Sequence, residues 1–255
     1  MLIVTDVRDV LPPLSGADMD ELRSSMDVSG VGTWRNAVSP EILDCAKQFV
    51  RSELTAHAHQ YFSLHGKEWL EGNPLQAIGN SPALQKIVQY LGDHALGRAG
   101  VDMEMAASLR VLTGERGKKH SNLFHFDSYI VTVLVPLVIP SEIDEPHGDL
   151  IIYPNMRRVR LSSVLNIAEK LLIENRIACI FWSGASAQRW LNARTVEMTP
   201  GNIYIFWGMR SLHANRACNP RRVRSTALFH FCDPHRASVF KRLSARYHRF
   251  RERRL

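Results

Sequence analysis

Three things are scarce in this 255-residue sequence: cysteine, long apolar runs, and net charge outside its final residues. The longest apolar run, residues 130–140, contains Thr132 and Pro136 and falls well short of the ~20 residues that a membrane-spanning helix needs. Residues 1–6 lack the basic and apolar regions of a signal peptide. The 4 cysteines are scattered, with no C-x-x-C pair, which favours reduced thiols over a disulfide framework. We therefore expect a cytoplasmic protein that does not bind membranes.

The positive charge of the sequence is concentrated near residue 255. The formal net charge is +7, and residues 241–255, with seven Lys or Arg against one Glu, carry +6 of it. The nearly neutral remainder argues against a nucleic-acid partner. Residues 236–253 are predicted to form a basic helix, whose face is either solvated or contacts a second copy in a homo-oligomer.

Helix signals come first along the chain. Ser39-Pro40 and Ser81-Pro82 each combine an N-cap with proline at the first helical position, and apolar residues follow at helical spacing. Glycine, asparagine and proline in residues 66–80 predict a loop between these two helices. Residues 1–105 are accordingly predicted to be a helical support.

From residue 106 the pattern changes to short runs rich in Val, Ile, Leu, Phe and Tyr, separated by Gly, Pro and Asn. Such runs predict an antiparallel sandwich or barrel over residues 106–234, with a helical insert at 162–175. No repeat or composition break marks a linker, so we expect a single domain, residues 1–255. The predicted strands are 108–113, 123–126, 129–139, 149–153, 177–182, 202–206, 211–215 and 224–231.

Three candidate metal ligands lie on these predicted strands. His125 and Asp127 stand two residues apart at the end of one strand, so their side chains project from the same face. His213 lies inside a later strand. Two histidines and one carboxylate can bind one face of a metal ion and leave the opposite face open, as in non-haem Fe(II) oxygenases. Taken alone, each residue also fits an ordinary role, such as a hydrogen-bonded pair or a buried core histidine.

A candidate anion-binding pair follows the last of these histidines. Arg224 and Thr226 share one face of the final predicted strand, where a guanidinium and a hydroxyl can together bind a carboxylate. Arg222 would point to the same face, but it lies close to Pro220 and a turn, where we expect solvent. We therefore choose Arg224 as the anion-binding residue.

In this order, His125-x-Asp127, His213 and Arg224-x-Thr226 resemble the motifs of the Fe(II)/2-oxoglutarate-dependent oxygenase superfamily. The resemblance covers about half of the chain and is similar in spacing to the phytanoyl-CoA dioxygenase-like branch and to standalone bacterial amino-acid hydroxylases. It implies a mainly β fold with flanking α-helices around a double-stranded β-helix (jelly roll, cupin-like) core. It also implies Fe(II) held by the two histidines and Asp127, which are then the catalytic residues. Arg224 and Thr226 would hold the cosubstrate 2-oxoglutarate, and O2 would be the other cosubstrate.

The resemblance further implies hydroxylation of a C–H bond in a small molecule, with release of succinate and CO2. Free or N-acylated amino acids are the candidate substrates. Asp127 favours hydroxylation, because related halogenases have a small residue at this position. Two alternatives stay open: a nucleic-acid or protein demethylase of the same superfamily, which the basic residues 241–255 motivate, and a non-redox cupin-like binding protein.

Several further residues are candidates for metal or substrate binding. His147 and Asp149 repeat the first motif, but they lie where the resemblance expects the turn and strand that follow the metal motif. Arg110, Tyr129 and Trp207 are candidate substrate-binding residues, although a strand arginine can equally face outward and such aromatics are more often core. Three other histidines have no partner at metal spacing and receive no role: His120, His230 and His235.

Overall fold

Nine strands form two antiparallel sheets in the residues that the computed structural model describes, namely 10–66, 68–101, 104–142 and 145–236. The larger sheet has the order β1 (Val31–Trp34), β7 (Ile203–Trp207), β4 (Val131–Val138), β9 (Arg224–Phe231), β3 (Ala106–Leu112) and β2 (Phe62–His65). The smaller sheet has the order β6 (Arg194–Val196), β5 (Leu150–Tyr153) and β8 (Leu212–Asn215). Every neighbouring pair is antiparallel, which confirms the predicted mainly β class.

Helices flank both sheets, and α1 to α4 cover the outer face of the larger one. Their residues, together with those of a short 3-10 helix at Glu68–Leu70, contribute to the main hydrophobic core. The helices are α1 (Gly16–Ser29), α2 (Pro40–Ala56), α3 (Pro74–Gly79), α4 (Pro82–Leu96), α5 (Gly114–Lys119), α6 (Ser163–Ile173), α7 (Arg176–Ser183) and α8 (Ala185–Trp190).

The larger sheet separates its two faces by residue parity, because successive side chains of a strand point to opposite sides. On β9, the odd-numbered Ala227, Phe229 and Phe231 pack with the helices in the main core. The even-numbered Arg224 and Thr226 instead line a cavity that both sheets border. The same strand therefore stabilises the fold with one face and builds a polar surface with the other.

The two helices predicted early in the chain are confirmed as α2 and α4. The hydroxyl of Ser39 accepts a hydrogen bond from the Ile42 N–H, and that of Ser81 accepts one from the Leu84 N–H, as N-caps do. Helix α1 was not predicted, and α3 lies where a loop was predicted. Strands β1 and β2 were not predicted either, so the predicted helical support contributes two strands to the larger sheet.

The strand predicted at 177–182 is wrong, because these residues belong to α7. A short apolar run fits a buried strand and a helix equally well, and the side chain of Asn175 decides the matter by capping the Ala178 N–H. The predicted helical insert therefore continues beyond α6 through α7 and α8. The strand predicted at 123–126 is also absent as such: only His125 forms a β-bridge there, with His213.

No helix within the described residues is both long and apolar enough to cross a lipid bilayer. The predicted basic helix at 236–253 lies outside the described residues except for Arg236. The single-domain organisation stays a prediction.

Candidate metal centre

The backbone brings His125 and His213 together across 88 positions of sequence. The His125 N–H donates to the His213 carbonyl at 3.0 Å, and the His213 N–H donates back at 3.1 Å. This reciprocal pair attaches the His125 segment to β8, the strand that carries His213. Asp127 is fixed in the same way, because its N–H donates to the Gly208 carbonyl at 2.9 Å. All three side chains are thus positioned by main-chain hydrogen bonds.

The three side chains converge on one point. The Nε2 atom of His125 lies 3.6 Å from Oδ1 of Asp127, and Nε2 of His213 lies 3.5 Å from Oδ2. The potential ligand atoms of the three residues all lie within 4.8 Å of one another. Among the described residues, no other group of three such side chains meets this criterion. The structure therefore brings together the three residues that the sequence selected as metal ligands.

Both imidazoles are oriented by main-chain carbonyls that leave Nε2 towards the shared point. Nδ1 of His125 lies 2.9 Å from the Leu123 carbonyl, and Nδ1 of His213 lies 2.9 Å from the Ser211 carbonyl. A carbonyl can only accept, so each Nδ1 carries a proton, and in the neutral form of each ring the lone pair is on Nε2. Partners of this kind on the distant ring nitrogen commonly orient metal-bound histidines.

The protonation states also suit a cation. Burial lowers the pKa of His125 well below its usual value, and the neighbouring His213 lowers it further. Burial opposes ionisation of Asp127, but the surrounding His213, His230 and His125 outweigh it and lower the pKa of this carboxyl. At neutral pH the site therefore presents a neutral His125 and a charged carboxylate, which are the ligand forms that bind metal ions.

Asp127 is held from behind by Thr132 and His230. The Thr132 hydroxyl donates to Oδ2 of Asp127 at 2.5 Å, and Nδ1 of His230 lies 3.2 Å from the same hydroxyl. A Cβ on Gly208 would collide with both the Thr132 hydroxyl and the Asp127 carboxylate, so only glycine leaves room for this contact. His230 was assigned no role from the sequence, although it continues the even-numbered face of β9 that carries Arg224.

Arg224 and Thr226 lie on that inward face and line the same cavity as the three ligands. Arg224 is 2% exposed, and its Nε has no hydrogen-bond partner among the described residues. Burial, reinforced by the nearby charge of Arg110, lowers the pKa of Arg224 to about 10. A buried guanidinium with an unsatisfied N–H donor is costly, and an anionic ligand that accepts from it would remove that cost. Arg222, by contrast, is exposed and forms ion pairs with Glu142 and Glu145.

Solved structures with the same architecture exist, although no protein-family model and no curated protein matches this sequence. AviO1 from Streptomyces viridochromogenes Tue57 superposes with a TM-score of 0.56 at 12% identity, covering 87% of this chain and 97% of that chain. The alpha ketoglutarate-dependent epimerase SnoN from nogalamycin biosynthesis gives 0.53 at 13%, covering 84% and 83%. A prolyl-4-hydroxylase from Pseudomonas putida gives 0.51 at 9%, covering 89% and 99%. The chain has the fold of the 2-oxoglutarate-dependent oxygenases.

This result confirms the predicted resemblance at the level of the fold, including the jelly-roll core. The finer similarity to the phytanoyl-CoA dioxygenase-like branch stays a prediction. The motif order that suggested the oxygenase fold, His125-x-Asp127 before His213 and Arg224-x-Thr226, corresponds to neighbouring positions around one cavity.

The cavity of this oxygenase fold has a volume of about 700 Å³. Arg110 and Tyr129, two of the three residues predicted to bind substrate, line it. The ring of Tyr129 stacks on His230 with 5.4 Å between ring centroids. Trp207 is not among the lining residues: it is fully buried in the main core, and its indole N–H donates to Asp27 at 2.9 Å. The preceding residue, Phe206, has the even-numbered parity and lines the cavity instead.

The second H-x-D motif does not form a comparable site within the oxygenase fold. Nε2 of His147 is hydrogen-bonded to the Glu142 carbonyl at 2.7 Å, and neither His147 nor Asp149 belongs to a three-ligand group in the described residues. The glycine between them has a different importance. Gly148 lies against the buried side chain of Arg224, so closely that a Cβ there would be 2.8 Å from Nε of the guanidinium.

The sequence predicts that Arg224 binds 2-oxoglutarate, and on this prediction Gly148→Ala should weaken that binding about tenfold or more. The added methyl group would displace Arg224, and residue 148 has a φ of +78°. Fe(II) binding should stay within about twofold of the parent protein. Gly72→Ala is the matched control, since Gly72 has a φ of +71° but no atom within 4 Å of the added Cβ. Anaerobic titration measures the 2-oxoglutarate affinity of the two variants. Equal losses of this affinity in Gly148→Ala and Gly72→Ala would contradict the explanation that the added methyl group crowds Arg224.

Proposed function

We propose that this protein is an Fe(II)- and 2-oxoglutarate-dependent dioxygenase that hydroxylates a C–H bond of a small molecule and releases succinate and CO2. One observation carries the proposal. The ligand atoms of His125, Asp127 and His213 lie within 4.8 Å of one another, beside a cavity that also contains the buried guanidinium of Arg224. A fold alone does not specify a reaction, so the proposal is based on the three metal-ligand side chains and on the guanidinium of Arg224.

The residues present fit ferrous iron. Two imidazoles with free Nε2 lone pairs and one ionised carboxylate form the donor set that non-haem iron oxygenases use, and three ligands leave coordination positions open. When bound, the iron activates O2 and, together with 2-oxoglutarate, supplies the oxidant for C–H hydroxylation. His125, Asp127 and His213 would hold the metal.

Other residues around the metal would bind the cosubstrate and exclude water. Arg224 and Thr226 would neutralise and orient the distal carboxylate of 2-oxoglutarate, since a guanidinium and a hydroxyl provide directed donors. Leu134 and Phe206 contribute apolar surface to the same cavity and would keep water away from the reacting atoms.

Free or N-acylated amino acids are the substrates we propose. A cavity of about 700 Å³ falls within the range of roughly 300–1,000 Å³ that is typical of small-molecule sites. Similar folds bind ligands of several sizes: SnoN is solved with Fe3+, alpha ketoglutarate and nogalamycin RO, and a Trichoplax adhaerens prolyl hydroxylase with a peptide fragment. All four cysteines are free, which supports the proposed cytoplasmic location.

Anaerobic titration tests the proposal directly. Adding Fe(II) and then 2-oxoglutarate should produce the visible charge-transfer band of a bidentate keto-acid chelate. Admitting O2 should then convert 2-oxoglutarate to succinate, and a substrate screen should identify compounds that accelerate this conversion. Metal binding without the band would contradict the proposal and favour the non-redox, cupin-like binding protein.

A further inference from the structure

A second arginine enters the cavity beside the metal centre. Arg110 lies on β3, directly opposite Thr226 of β9 and Ser63 of β2 in the sheet register. Its side chain lines the cavity with His125 and Arg224. Its positive charge contributes to lowering the pKa of both residues, and also that of His230. The guanidinium is therefore within electrostatic reach of the metal ligands and of the proposed cosubstrate arginine.

In the described part of the chain, Arg110 lacks the acidic partner that several other arginines have. Within the described residues, no hydrogen bond or ion pair joins Arg110 to another side chain. Arg157 and Arg160 share Glu169, with their closest contacts at 2.9 and 2.7 Å, and Arg222 lies 2.9 Å from Glu145. The only carboxylate that lines the cavity in the described part of the chain is Asp127, which belongs to the metal site. A positive charge thus faces the cavity without compensation.

The charges of the occupied site also leave Arg110 without a partner, an inference that rests on the proposed function. Ferrous iron, ionised Asp127, protonated Arg224 and doubly charged 2-oxoglutarate together have no net charge. Arg110 then adds a positive charge that neither the metal nor the cosubstrate neutralises, and Lys170, whose ammonium donates to the Ser128 hydroxyl, also lines the cavity. Only a further anion can pair with it, and the substrate is the remaining component of the reaction.

The neighbours of Arg110 suit a carboxylate. Ser108 lies two residues away on the same face of β3 and lines the cavity, as does His65 of β2, which pairs with Ser108 in register. Nε2 of His65 is 3.1 Å from the hydroxyl of Ser63. One guanidinium beside a hydroxyl and an imidazole matches the two oxygens and single charge of a carboxylate.

We propose that Arg110 and Ser108, with His65 beside them, form an anchoring site for a free carboxylate on the substrate. The substrate class is therefore a carboxylic acid whose carboxylate is not esterified or amidated. A residue inside a peptide chain does not meet this requirement, whereas a free or N-acylated amino acid does.

Matched probes test the anchoring site. The probes are the twenty N-acetyl amino acids and their primary amides, which differ only in the charge of the terminal group. Each is added anaerobically to the protein loaded with Fe(II) and 2-oxoglutarate, and binding is measured from the change in the charge-transfer band. We expect at least one acid to bind and its amide to bind at least about thirtyfold more weakly.

Arg110→Gln provides the second arm. It should abolish the preference for that acid over its amide and leave the affinity for 2-oxoglutarate within about threefold of the parent protein. Arg222→Gln is the control, because Arg222 is exposed and already paired with two glutamates, and it should keep the preference.

The outcomes separate the two proposals. If the band never forms in the parent protein, the proposed function is wrong. If it forms but no acid binds more tightly than its amide, or if Arg110→Gln keeps the preference, the carboxylate anchor is wrong. A large loss of 2-oxoglutarate affinity in Arg110→Gln would likewise overturn it, by assigning Arg110 to the cosubstrate.

Discussion

Replacing His125, Asp127 or His213 with alanine should reduce succinate formation to background and abolish stoichiometric Fe(II) binding. Each change removes one of three converging ligands, and the remaining two cannot hold the ion against water. The fold should survive in each case. The side chain of His125 is 26% exposed, so its loss leaves little cavity, whereas His213 is 4% exposed and its loss should lower the melting temperature most. Iron content and thermal melting of the three purified variants measure both effects.

The second H-x-D motif provides the control for these variants. His147→Ala and Asp149→Ala should bind Fe(II) as the parent protein does, because the structure places both side chains outside the three-ligand group. Loss of iron in either control, with iron retained in His125→Ala, would mean that the metal site lies at the second motif rather than the first.

Arg224→Ala should raise the Michaelis constant for 2-oxoglutarate by a factor between about thirty and several thousand. Removing one partner of a buried, charge-assisted contact costs roughly 2–5 kcal/mol, and each 1.4 kcal/mol corresponds to about tenfold. The buried position of Arg224, at 2% exposure, places the expected effect in this range rather than in that of a surface pair. Fe(II) binding should be retained, since no metal ligand changes.

Arg222→Ala is the matched variant for this prediction. Arg222 lies two residues earlier, is exposed, and pairs with Glu142 and Glu145 on the surface, so its removal should change the Michaelis constant by less than about threefold. Steady-state kinetics with 2-oxoglutarate as the varied substrate compares the two. If Arg222→Ala has the large effect and Arg224→Ala the small one, the assignment of both Arg224 and Thr226 is wrong.

The parity of β-strands explains why much of the fold was predictable. Residues 224–231 were predicted as a strand with those bounds, and alternation placed Arg224 and Thr226 on one face of it. The same rule would have found His230, four residues after Thr226, and would have replaced Trp207 by Phe206. His230 and Phe206 were not selected because residues were considered singly rather than along the strand.

Other errors had a different origin. The run 177–182 contains only apolar residues, and nothing within it distinguishes a buried strand from a helix; the decisive contact is the Asn175 cap just before it. The contact between Gly148 and Arg224 joins residues 76 positions apart, so no local pattern could have revealed it. Sequence spacing identifies candidate ligands, but only tertiary packing shows what holds them in place.

Because the two faces of β9 have different surroundings, mutations on each face should have different effects. Changes at the odd-numbered Ala227, Phe229 and Phe231 are constrained by volume and apolarity, and their penalty is paid as misfolding and lower abundance. Under the proposed function, changes at the even-numbered Arg224, Thr226 and His230 alter the polar lining of the cavity, so a variant can accumulate at the normal level and still lose activity. Along the eight residues of β9, therefore, substitutions at alternate positions should affect either the amount of folded protein or the activity of each molecule.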